Sequence, residues 1–288
     1  MRRSTIALAA LMVWGCEAGP KPEPRYLLGA GYQVGGQWYY PRESYGLNET
    51  GLATVASRRS GLTANGEAYD PDAMAAGHQT LQLPAIARVT NLATGAQILV
   101  RINDRGPARP HRMLELTPRA ASLLGISLLG VPAAGGTPIR LEVLEVESRQ
   151  AVEGLRGAPK LQIATAPRES VRAEALSGPQ AGPVTQGKQA QDEEVRPAAI
   201  IRLPETVTRG AAGPTTLWIR LGTFGRQEFA ARQRARVAQL APDLETSRSG
   251  GQTTYRLRIG PLTSVTQADA TLDQVLRAGI NDAHIVVE

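Results

Sequence analysis

Aromatic residues make up only 4% of the 288-residue chain, and Cys16 is its one cysteine. A lone cysteine excludes an internal disulfide, and without Cys–His clusters at ligand spacing there is no metal site to expect. No apolar run reaches the ~18 to 20 residues of a spanning helix, which rules out a multi-pass membrane protein. No glycine-rich phosphate loop follows a strand and no serine occupies a nucleophile elbow, so no cofactor is expected. Hydrophobic residues reach 42%, enough for an ordinary core, while 30 Gly and 20 Pro call for many turns and some irregular chain. The length suits two small domains and a linker. Thirty-two Lys and Arg against 26 Asp and Glu give +6, which fits an anionic partner: nucleic acid, a membrane surface or a cell-wall polymer.

The beginning of the chain narrows that choice. Arg2 and Arg3 precede an apolar stretch from Ile6 to Trp14, followed by Gly15, Cys16, and then proline and charge. This is the order of a signal peptide, its apolar stretch too short for a membrane anchor. Val13-Trp14-Gly15-Cys16 resembles a bacterial lipobox, with Trp14 in place of the usual small residue. On that reading Cys16 is diacylated and holds the protein to an envelope membrane, facing the periplasm. The alternative is a secreted protein that loses Cys16 with its leader. An exported protein rarely meets nucleic acid, so that partner is set aside.

Residues 1–16 are therefore assigned to the leader and 17–50 to a lead-in. From residue 51 to 147, short apolar runs separated by turn signals predict a mainly β domain. Ile86–Leu92 and Gln97–Ile102 are strands joined through Ala93-Thr94-Gly95, a loop of hairpin length. Thr117-Pro118 opens a short helix that stops at Gly125, and Pro138–Val146 is a last strand. Residues 148–213 lack periodicity and read as a flexible linker. From 214 to 288 the order is βαββαβ: strands at Leu217–Leu221, Leu244–Arg248, Thr253–Ile259 and Ala283–Val287, helices at Gln227–Leu240 and from Val265 to Leu276. Two helices on one face of an antiparallel sheet leave the other face open. Alternation places Trp218, Arg220, Arg256 and Arg258 on that open face. They form either a solvated surface or a sugar-stacking, anion-binding one.

Asp104 ends the strand Ile98–Ile102 inside Asn103-Asp104-Arg105-Gly106-Pro107, where a rigid turn presents a carboxylate. An ordinary turn uses the same residues. Glu67 and His78, each in a glycine-containing segment, are two further titratable groups; His111 and His284 lack such surroundings.

Gly51-Leu52-Ala53, Thr63 through Asp70, Ala76 through Pro84, Arg88-Val89-Thr90-Asn91-Leu92, Val100 through Pro107 and Ala120-Ala121 through Leu124-Gly125 together resemble the rare lipoprotein A family of septal-ring lytic transglycosylases. Tyr32 through Pro41 is similar to the lead-in of some members, and residues 214–288, with Gly222-Thr223-Phe224 and Tyr255 through Leu262, resemble a SPOR domain. The resemblance implies a double-psi β-barrel followed by a linker and a small α+β, ferredoxin-like SPOR domain. It implies action on peptidoglycan glycan strands stripped of peptides at the septum, closing 1,6-anhydro-muramyl ends, with divisome proteins as further partners. It matches Asp104, His78 and Glu67 to the family's catalytic positions, with Asp104 as acid and base, places Asn103 and Arg105 at the substrate, and gives the SPOR face Trp218, Arg220, Arg256 and Arg258 the stripped strands as ligand. Two departures stand out. Thr54 through Leu62 is shorter than in the family and has no aromatic residue, and Glu115 replaces the usual Asp. The competing reading is a non-catalytic peptidoglycan-binding lipoprotein.

Overall fold

The computed structural model describes residues 21–109, 111–126, 135–159, 202–249 and 251–288. The lead-in forms a hairpin of β1 (Tyr32–Val34) and β2 (Gln37–Tyr39). The barrel strands follow: β3 (Asn48–Val55), β4 (Ala75–His78), β5 (Ala85–Asn91), β6 (Ala96–Asp104), β7 (Leu114–Leu116) and β8 (Thr137–Val143). They pair in the order β4, β7, β3, β8, β5, β6, and β6 returns to β4, which closes a six-stranded barrel. The β3–β7 and β4–β6 pairs are parallel and the rest antiparallel. Closure removes the free edges and points alternate side chains inward. Leu81, Leu83, Ile98, Val100, Ile102, Leu114, Leu116, Ile139 and Leu141 fill the interior.

Helix α1 (Pro118–Leu123) starts as its sequence dictates: Thr117 Oγ1 accepts from Ala120 N, with proline at the first helical position. The expected last strand, by contrast, ends at Val143. Helix α2 (Glu145–Val152) takes over, because Ser148 Oγ both accepts from Ile86 N (2.9 Å) and donates to Ile86 O (3.1 Å). The irregular stretch expected from residue 148 thus begins inside an element docked on β5. At its other end, β9 (Thr208–Arg209) adds to β6, and Gly213 N donates to Leu92 O. Residues 160–201, the middle of that stretch, lie outside the described residues.

The C-terminal domain has the expected order: β10 (Leu217–Phe224), α3 (Gln227–Arg236), β11 (Asp243–Ser249), β12 (Gln252–Leu262), α4 (Val265–Arg277) and β13 (His284–Val287). Its antiparallel sheet runs β11, β12, β10, β13. Leu217, Ile219, Leu221, Leu257 and Ile259 are buried in one core with Ala268, Leu272 and Val275 of α4. The domain also packs on the barrel. Arg112, whose side chain is 1% exposed, grips Asp269 of α4 with two hydrogen bonds of 2.7 and 2.8 Å. His111 meets Asp273 at 3.0 Å, and Val287 N donates to Thr50 Oγ1.

Candidate active site

Asp104 lies where β6 leaves the barrel, opposite Gly77 of β4. One carboxylate oxygen accepts from the backbone N–H of Ala64 and of Arg105, both at 2.8 Å. The other takes Arg58 Nη2 at 2.6 Å. Arg58 also donates to Leu62 O and lies over the Tyr69 ring, 4.3 Å from its centre. The Thr54–Leu62 segment lacks the family's aromatics, yet it supplies the cation that holds Asp104.

A cleft of about 130 Å³ opens here, walled by Arg58, Tyr69, Asn103, Asp104, Arg105 and Glu115 among others. Glu115 sits at the centre of β7, paired with both Thr54 and Gly77. Burial, then the Asp104 charge, push its carboxyl above the ordinary range, while Arg58 and Arg109 pull the other way. Gly106 makes room for it: at φ +153° the residue favours glycine, and a Cβ there would come within 3.0 Å of the Glu115 carboxyl. The cleft therefore holds two carboxyl groups in unequal settings, one fixed by an arginine and two backbone N–H groups, the other raised by burial.

Glu67 and His78 stand behind this surface, not in its wall. Glu67 accepts from Asn65 (2.7 Å), from Arg101 Nη2 (2.7 Å) and Nε (3.0 Å), and from Asn103 (2.8 Å), all buried. Burial would push its carboxyl up, but Arg101 and the two amides outweigh it and hold the group below the usual carboxylate range. Through Asn103 it braces the residue next to Asp104. His78 ends β4, and its Nδ1 accepts from Thr80 N (3.1 Å) and Leu81 N (3.2 Å). Burial, with the charges of Arg105 and Arg42, pushes its pKa down to about 3. The ring is thus neutral at physiological pH and caps a turn. Arg105 spends its guanidinium on the carbonyls of Leu81 (2.6 Å), Leu28 (2.7 Å) and His78 (3.3 Å), which ties three segments beneath the cleft.

Asn103, Asp104 and Arg105, singled out in the sequence, all line the cleft, whereas the sequence gives Glu115 only as a departure from a pattern and Arg58 not at all. The signal for Glu115 is its place in Leu114-Glu115-Leu116: a carboxylate between two buried leucines of a strand faces the opposite side from the core.

On the C-terminal sheet, Trp218, Arg220, Arg256 and Arg258 do share the open face. Arg258 lies 4.1 Å from the Trp218 ring centre and pairs with Glu288 at 2.6 Å. Arg220 also reaches Glu288, and Arg256 reaches Glu245 at 3.3 Å. The arginines are paired with carboxylates, so the face is less cationic than the sequence suggests. Cys16 lies outside the described residues. Among the described residues, no three His, Cys, Asp or Glu side chains come together as a metal site.

Comparison with known proteins agrees with this geometry. Residues 37–141 match the lytic transglycolase family and residues 213–286 the SPOR domain. A Pseudomonas aeruginosa protein named endolytic peptidoglycan transglycosylase RlpA is 28% identical over 94% of this chain and 80% of its own length. Relatives of the same name from Yersinia pestis and Escherichia coli are 36% and 40% identical over 46% and 38% of this chain, covering 37% and 28% of their own lengths. The chain thus carries a closed barrel that matches the lytic transglycolase family and, after it, a SPOR domain, and it is similar to the Pseudomonas aeruginosa transglycosylase over most of both lengths.

Proposed function

We propose that the barrel is a lytic transglycosylase that cleaves peptidoglycan glycan strands. The observation that carries this reading is the pair of unlike carboxyl groups, Asp104 and Glu115, in one cleft. Glu115 gives its proton to the bridging oxygen as the C1–O bond breaks. The sugar's own C6 hydroxyl oxygen bonds to C1, and its proton passes to Asp104. The products are a 1,6-anhydro-muramyl end and a sugar with a free hydroxyl; no water is consumed. A proton returned from Asp104 to Glu115 resets the site. The division of labour differs from a single acid and base at Asp104, and it follows from the settings of the two groups: Arg58 and two backbone N–H groups hold Asp104, while burial raises the Glu115 carboxyl. Glu67, through Asn103, and His78, through its turn, position the cleft; Asn103 and Arg105 line it.

The protein works at the cell wall, and its SPOR domain binds peptidoglycan there. In the finer reading, Trp218, Arg220, Arg256 and Arg258 hold peptide-free strands at the septum, and lipidated Cys16 anchors the chain to an envelope membrane on its periplasmic side.

The test incubates leaderless protein with intact and amidase-treated peptidoglycan and looks for anhydro-muramyl ends by mass spectrometry. Asp104→Asn and Glu115→Gln should each lower their formation by at least ~100-fold while the fold persists. Wild-type protein that binds both substrates and releases no anhydro ends is a binder and not an enzyme.

A further inference from the structure

We propose that Trp38 and Tyr40 of the lead-in hairpin form a sugar-stacking subsite for the glycan strand, beside the cleft. The subsite takes its substrate class from the function proposed above. In a chain with few aromatics, Trp38 is 56% and Tyr40 66% exposed, their rings 6.2 Å apart and inclined by 17°. Phe229 is the one other exposed aromatic among the described residues. Two adjacent exposed rings on one face of a strand are a surface that awaits a ligand.

The hairpin is fastened to the catalytic loop by its back face. Tyr32 and Tyr39 stack there with centres 5.8 Å apart, and the Tyr32 hydroxyl donates to Gln79 O at 2.8 Å. Gln79 in turn reaches the carbonyl of Pro107, three residues beyond Asp104, at 3.4 Å. From the same back face, Gln37, which accepts from the Tyr39 hydroxyl, donates to Asn281 O at 3.3 Å, in the turn that enters β13. The aromatic face therefore sits on a bridge between the cleft loop and the SPOR domain. Tyr40 is held close against the backbone: a Cβ on Gly31 would come within 2.9 Å of its ring.

The occupant follows from chemistry and place. Pyranose rings present C–H faces that pack on aromatic rings, while indole N–H and phenol O–H take the surrounding hydroxyls. Among the described residues the cleft wall has one aromatic, Tyr69, and Arg58 covers a face of its ring. A strand leaving the cleft thus meets its aromatic platform at Trp38 and Tyr40. Trp and Tyr also suit a bilayer interface, but attachment beside Asp104 favours the substrate over the membrane.

Leaderless protein keeps two tryptophans, Trp38 and Trp218, so a Trp218→Phe background makes Trp38 the only indole reporter. Titration with peptide-free glycan strands should shift its emission saturably. In the otherwise unchanged leaderless chain, Trp38→Ala/Tyr40→Ala should raise KM for long strands about 10-fold, each ring contributing about threefold. The kcat should stay within about twofold if the rings bind strand away from the bond that breaks. Trp38→Phe should recover most of the loss. An emission unmoved by glycan, an unchanged KM, or a Trp38 response confined to anionic phospholipid vesicles would each overturn the subsite. Should the wild type yield no anhydro ends, the function proposed above fails, while the fluorescence titration still decides the subsite.

Discussion

Glu67→Gln removes the charge from a buried carboxylate that accepts from Arg101, Asn103 and Asn65. What remains is the Arg101 guanidinium, 7% exposed and deprived of the carboxylate it pairs with. Leaving one partner of a buried pair costs about 3 to 5 kcal/mol, a large part of the roughly 5 to 15 kcal/mol that holds a domain folded. At about 2 to 4 °C per kcal/mol for a chain of this size, the melting temperature should fall by roughly 6 to 20 °C. Glu67→Gln/Arg101→Met, which takes both charges away, should recover most of it. Because the folded-state pKa of Glu67 is held low, its contribution is complete above the ordinary carboxylate range and is lost as pH falls through the lowered value. Glu67→Gln should therefore flatten the acid limb of a melting-temperature profile followed by circular dichroism. Anhydro-end formation, measured where each variant is folded, should fall less than with Asp104→Asn, since Glu67 acts through Asn103. A single variant that melts like wild type refutes the reasoning. So does a restored double variant as inactive as Asp104→Asn, which would put Glu67 in contact with the sugar.

His78→Ala strips Thr80 N–H and Leu81 N–H of their acceptor, a loss of about 1 to 3 kcal/mol. Between the ordinary imidazole value and about 3, only the unfolded chain binds this proton, so wild-type stability falls as pH drops across that window. The variant's thermal melts should show a shallower slope there, and an unaltered slope would contradict a buried neutral ring. On the SPOR face, Arg256→Ala/Arg258→Ala should weaken retention of the protein on peptide-free sacculi, and equal retention would remove those arginines from binding. Cys16→Ser should move the protein from the membrane to the soluble fraction of cells; persistence in the membrane would exclude the lipid anchor.

The order of elements in the C-terminal domain is legible from the chain because its signals are local. Leu217, Ile219 and Leu221 alternate as a strand facing a core must, and Ala268, Leu272 and Val275 recur at helical spacing. The same alternation places Trp218, Arg220, Arg256 and Arg258 on one face, and the turn after β6 marks Asp104. What alternation cannot convey is where the carboxylates Asp243, Glu245 and Glu288 fall, so the neutralisation of that face waits for the fold. In the barrel, Ala75-Ala76-Gly77-His78 carries little strand propensity. It becomes β4 only because β6 and β7 offer it hydrogen bonds on either side. That closure turns His78 inward onto its own turn, seats Glu67 on Arg101, and brings Glu115 across from Asp104. Glu67 and Arg101 stand 34 positions apart, and Glu115 and Asp104 are as far out of local reach, in a sequence that assigns none of them a partner. Likewise, the apparent linker carries no periodicity, yet Ser148 bonds to Ile86 and Gly213 to Leu92, because a docked segment needs only a few buried polar contacts. The chain by itself determined which residues are strand, helix and turn wherever burial repeats with a fixed period. Tertiary structure alone decided which charges meet, since ion pairs and clefts depend on contacts between distant segments and leave no period behind.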